Sequence, residues 1–96
     1  MKYLIIDGMA FGTGVRNGVE GGFIDIEEFD ISETLSKKLK QWLLEYEDEH
    51  YNGYADPINI NKLDNKGIEI AKLFRSELKD CKVEYYSNGK TKMIKL

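Results

Sequence analysis

Cysteine, proline and histidine each occur once in this chain, as Cys81, Pro57 and His50. A single cysteine cannot close an internal disulfide, so the fold must hold without that staple, and the pattern points to a reducing, cytoplasmic setting. A single histidine weakens any metal reading. Glu47-Asp48-Glu49-His50 has the Glu-x-x-His spacing of carboxylate di-iron sites, but those sites need two such motifs. A Cys–His nucleophile would require Cys81 and His50 to meet in space. No Gly-x-Ser-x-Gly elbow is present. Glycines 8, 12, 14 and 18 follow an apolar run, yet Gly14 leads into Val15-Arg16, not Lys-Ser/Thr, and no helix signal follows. A phosphate loop is therefore not expected, and a loop or hairpin needing positive φ explains the glycines better. These absences predict no catalytic residues, no metal and no cofactor; the chain does not read as an enzyme.

Arginine is scarce too, with only Arg16 and Arg75. The basic C-terminal residues Lys72, Lys79, Lys82, Lys90, Lys92 and Lys95 are interleaved with acids, so no nucleic-acid partner is expected. The longest apolar run, Tyr3-Leu4-Ile5-Ile6, falls far short of the roughly 20 residues that span a bilayer. Its early interruption by Asp7 does not read as a signal peptide. No membrane association is expected.

What is present is material for one domain over residues 1–96: 42% of the side chains are apolar and 11% aromatic, enough to offset the entropy of ordering a chain of this length. Charge is unevenly spread. Residues 1–56 hold 5 Lys/Arg and 12 Asp/Glu, a balance of −7; residues 57–96 hold 9 and 5, a balance of +4. The front of the chain is therefore acidic and the back basic.

Periodicity predicts an α+β domain, with an antiparallel sheet of three to five strands, two helices packed on it, and the order ββααββ. Lys2–Asp7 reads as a strand covered on both faces. Asn17-Gly18 suits a type I′ hairpin turn, with Phe23, Ile24 and Ile26 in a short strand or an extended edge segment. Leu35, Leu39, Trp42, Leu43 and Tyr46 make one apolar stripe, predicting a helix over Ser32–Glu49 capped by Asp30 or Ser32, with Trp42 buried. Residues 50–63 read as irregular. A second helix is predicted over Asp64–Lys79, with Asp64 or Asn65 as its cap. Asn88-Gly89 predicts a two-residue hairpin turn pairing Tyr86 with Thr91, Tyr85 with Lys92 and Val83 with Ile94. Cys81, Val83, Tyr85, Ile94 and Leu96 then form its core face.

One feature breaks a local rule. Glu45, Glu47, Asp48 and Glu49 crowd the end of the first helix, where carboxylates oppose the macrodipole. Tyr51 and Tyr54 follow at once. Acids interleaved with tyrosine suit protein recognition, because tyrosine gives contact area at low entropy cost and carboxylates pair with a partner's Lys or Arg. The expected partner-binding residues are Glu45, Glu47, Asp48, Glu49, Tyr51 and Tyr54, with Glu27, Glu28 and Asp30 contributing if the fold brings them near. The expected partner is basic.

The opening Met-Lys-Tyr-Leu-Ile-Ile-Asp-Gly-Met-Ala-Phe-Gly-Thr-Gly-Val-Arg-Asn-Gly carries a resemblance. So do Ile24-Asp25-Ile26-Glu27-Glu28, Leu35–Trp42, Gly67–Ala71 and the Val83-Glu84-Tyr85 hairpin. Together they are similar to small bacterial immunity proteins of contact-dependent growth inhibition and related polymorphic toxin systems. The resemblance implies a protein that stays in the producing cell's cytoplasm and neutralises a cognate secreted toxin, frequently a nuclease, by stoichiometric binding. The alternative is a small cytosolic interaction or regulatory module with no toxin partner.

Overall fold

The computed structural model describes residues 2–96. Strand β1 (Lys2–Asp7) is followed by β2 (Val15–Asn17), a single 3-10 turn at Ile26–Glu28, helix α1 (Glu33–Tyr51), helix α2 (Pro57–Glu77), β3 (Cys81–Ser87) and β4 (Lys92–Ile94). The sheet order is β2-β1-β3-β4. β1 runs antiparallel to β2 and β3 antiparallel to β4, but β1 and β3 are parallel along their length, from Lys2 opposite Cys81 to Asp7 opposite Tyr86.

The sheet is therefore mixed, not purely antiparallel as the sequence suggested. Strands and helices reverse direction at every connection, so β3, the fifth of the six, runs with the first. Lodged beside β1, it must pair in parallel, and the two helices supply the long crossover that parallel pairing needs. Contacts at both ends of the helix pair confirm its antiparallel sense. Glu77 accepts hydrogen bonds from the Ser32 backbone N–H (2.6 Å) and hydroxyl (2.8 Å), while Asn59 donates to Glu49 at the other end (2.8 Å).

Ser32 is the α1 cap, its hydroxyl accepting from the Leu35 N–H. Helix α2 starts seven residues earlier than the periodicity indicated. Asp56 caps it by accepting from the Ile58 and Asn59 N–H groups, and Pro57 is its first residue, the one helical position where a missing N–H costs nothing. Pro57 is thus a start signal, and only 52–56 of the stretch 50–63 lies outside a helix: Tyr51 closes α1 and Pro57 opens α2. Asp64 is no cap; it lies inside α2, buried.

The core joins Leu4, Ile6, Val15, Val83 and Tyr85 of the sheet to Leu35, Leu39, Trp42 and Tyr46 of α1 and Leu63, Ile70, Ala71 and Phe74 of α2. Trp42 is buried as expected, and its indole N–H donates to the Leu63 carbonyl at 2.8 Å. Gly67 lies flat against the Tyr85 ring, where no side chain would fit.

Both predicted hairpin turns are wider than two residues. At the first, the Asn17 side chain accepts from the Val19 and Glu20 N–H groups and Gly21 takes the positive φ, while Phe23 pairs back to Arg16. At the second, Asn88–Thr91 forms the loop and Tyr85 pairs with Ile94 and Ser87 with Lys92. That register differs from expectation by two residues. Because strand side chains alternate with period two, Val83 and Tyr85 still face the core. Gly89 is constrained by the Ile60 side chain, 2.7 Å from where a Cβ would stand, and not by a positive φ.

At the centre of the core, 2% exposed, sits the Asp64 carboxylate. Oδ1 accepts from the Tyr85 hydroxyl (2.6 Å) and the Tyr46 hydroxyl (2.9 Å); Oδ2 accepts from Ser87 (2.8 Å) and pairs with Lys90 Nζ at 3.5 Å. Burial pushes the Tyr46 phenol up to about 12, with Asp64 adding to the shift, and pushes Tyr85 up further.

Two outcomes follow from this centre. Asp64→Ala leaves two phenols and a hydroxyl without their shared acceptor and should destabilise by about 3–5 kcal/mol in urea unfolding. The fold also favours the protonated phenols. Their contribution is whole below pH 10 and is lost as pH rises toward about 12, so melting followed from pH 8 upward should hold flat and then fall across that window.

Candidate protein-interaction surface

The β1–β2 loop and the end of α1 meet at the carboxyl end of β1. The loop starts at Asp7, which is buried. One Asp7 oxygen accepts from the Met9 N–H (3.0 Å) and from the Asn88 side chain; the other pairs with Arg16 Nε at 3.0 Å. Arg16 in turn lies over the Tyr86 ring, 5.5 Å from its centroid. The loop backbone is pressed onto the core. A Cβ at Gly8 would stand 2.8 Å from Tyr46 Cγ, and one at Gly12 2.6 Å from Phe23 Cζ.

The Gly12 N–H closes a turn onto the Met9 carbonyl, and the third residue of that turn is Phe11 at φ 68°. Its ring, 81% exposed, stands edge-on to His50 (centroids 6.4 Å apart) and Tyr51 (6.5 Å). His50 and Tyr51 meet each other at 5.6 Å, and Tyr54 packs behind His50 at 5.8 Å. Tyr54 also holds a positive φ, 55°; burial raises its phenol pKa, and the nearby Asp7 charge raises it further. The result is an aromatic corner in which Phe11 and Tyr51 (67% exposed) lie open to solvent beside Met9 (52%).

The expected partner-binding acids divide on this frame. Glu47 lies three and four residues before His50 and Tyr51, hence directly beneath them on the same helix face, and is partly exposed; Asp48 beside it is exposed. Glu45 is engaged with Lys66 of α2 at 3.3 Å. Glu49, 6% exposed, faces α2 instead of solvent. Its Oε1 accepts from Asn59 in the first turn of α2, and its Oε2 has no hydrogen-bond partner among the described residues. The positive end of the α2 dipole offsets the unfavourable end of α1 at this carboxylate. Glu27, Glu28 and Asp30 are exposed but lie before α1. The 19 residues of α1 separate them from the corner by roughly 28 Å, so the fold does not bring the two acidic groups together. Cys81, at the start of β3, is likewise at the end of the sheet remote from His50.

The rest of the corner, Phe11 and His50, escaped the sequence reading. A usable signal existed: a large aromatic between Gly8 and Gly12, in a stretch with no other strand or helix pattern. Helices α1 and α2 are not long and apolar enough to cross a membrane.

Glu49→Gln supplies a check on this division. It removes a buried charge yet keeps an acceptor for Asn59, so melting should stay within about 1 kcal/mol of wild type or rise. Binding at the corner should be unaffected.

No family model matches the chain, and no curated protein matches its sequence. The chemistry offered at the corner is that of its own residues: contact area from exposed rings and negative charge from Glu47 and Asp48.

Proposed function

We propose that this protein works by binding, as a stoichiometric inhibitor of a basic protein domain, and that the domain is a secreted toxin, such as a nuclease, met in the cytoplasm of the cell that makes both. The observation that carries this reading is the acidic aromatic corner. Of the carboxylates in segments 7–14 and 45–56, which build it, Asp7 and Glu45 are paired with Arg16 and Lys66, Glu49 is buried and Asp56 caps α2, so Glu47 and Asp48 supply its charge, and the two segments contain no lysine or arginine. Exposed aromatic rings ringed by charge of one sign are suited to a partner of the opposite sign. A domain that grips a polyanion carries such a basic surface. The resemblance to small immunity proteins agrees with this reading and names the class of partner.

This reading expects a toxin domain encoded beside this gene, and the test uses that domain. Wild-type protein should bind it one to one and protect cells from it. Association should slow as salt rises, because screening shortens the reach of charge to about 8 Å at physiological ionic strength. Glu47→Gln with Asp48→Asn should flatten that salt dependence and slow association about tenfold, while melting shifts by no more than about 0.5 kcal/mol. Full protection with unchanged association would remove the corner from the interface. Failure of the wild-type protein to bind would favour a regulatory module with another partner.

A further inference from the structure

We propose that Phe11 is the apolar anchor of this interface and that it enters a hydrophobic pocket on the partner whose rim carries Lys or Arg; the proposal rests on the binding function just described.

The fold has little use for this side chain. Phe11 is 81% exposed, and the two rings it touches, His50 and Tyr51, are themselves exposed. Its backbone sits at φ 68°, in the third position of a turn, where glycine is the favoured residue and a bulky side chain is strained. Backbone strain repaid only by edge contacts with two exposed rings points to a use outside the fold.

The loop beneath it is tied down at several points. Asp7 holds the Met9 N–H, Gly8 lies against Tyr46 and Trp42, and Gly12 against Phe23. Phe11 is thus presented in one place before any partner arrives, which lowers the ordering cost of binding. Aromatic side chains of this kind, seated in a partner's pocket, dominate interface energies.

Charge selects the occupant. Glu47 and Asp48 lie one helical turn before His50 and Tyr51, the two rings that Phe11 meets, and the segments that build the corner, 7–14 and 45–56, contain no lysine or arginine. A second copy would bring the same carboxylates face to face, because a two-fold interface apposes identical patches. An anionic lipid surface would repel them. A protein surface with a basic rim around an apolar pocket satisfies both the ring and the charges.

The experiment compares wild type, Phe11→Gly and Phe11→Leu, measuring melting, sedimentation and affinity for the neighbouring-gene toxin domain. Phe11→Gly should melt at or above the wild-type temperature and bind about 100-fold more weakly, mostly through faster dissociation. Phe11→Leu, which keeps an apolar side chain, should recover part of that loss. Binding of Phe11→Gly within about threefold of wild type would overturn the anchor while leaving the binding function standing. A clear drop in its melting temperature would also overturn it, by making Phe11 a packing residue. A wild-type dimer that Phe11→Gly abolishes, or wild-type binding to phosphatidylserine vesicles, would replace the proposed occupant. If wild-type protein fails to bind the toxin domain, the anchor and the function both fall.

Discussion

A single buried carboxylate organises this molecule. Asp64 comes from the middle of α2, yet its acceptors are shared among a phenol from α1, a phenol and a hydroxyl from β3, and an ammonium from the β3–β4 loop. Burying a charge is costly unless its oxygens are satisfied, and here each oxygen has at least two partners. The same groups are reused outward: the Tyr46 hydroxyl accepts from the Gly89 N–H at 2.9 Å, and Ser87 from the Lys90 N–H at 3.1 Å. The turn after β3 is thereby held in register by the core and not by its own conformational preference. A partly satisfied version of this network would be worse than an apolar core, which makes the helix–sheet arrangement hard to vary around it.

The corner inherits that rigidity. Tyr46 carries Asp64's hydrogen bond on its hydroxyl and Gly8's backbone against its ring. Asn88, from the turn that Tyr46 helps to hold, reaches Asp7, and Asp7 holds the loop that presents Phe11. Core polarity, sheet register and an exposed aromatic are therefore links in one chain of contacts. Such anchoring suits the binding role proposed above, since ordering a loose loop on binding subtracts directly from affinity.

The two ends of the molecule differ in what they offer. At the N-terminal end of α1, the Ser32–Glu77 contacts tie the helices together, and the acids Glu28 and Asp30 share their surroundings with Lys2 and Lys79. At the other end, rings and carboxylates stand together without cations in the segments that build the corner. Acidity summed along the front of the chain had merged two places that one helix length keeps apart.

Legible in the residues alone were the strand at the start, the stripe that buries Trp42, the core face of the last hairpin and the α+β class, because these depend on local periodicity. Periodicity of two also kept Val83 and Tyr85 inward although the register was off by two. The parallel β1–β3 pairing, the burial of Asp64 and Glu49, and the early start of α2 at Pro57 were decided by the assembled fold. A carboxylate reads as surface until donors from distant segments converge on it, and those donors lie 18 to 23 residues away in sequence. Phe11 belongs to the same class: it is exposed because a glycine-lined loop is pressed flat on Tyr46, Trp42 and Phe23, and that requires the core to exist first.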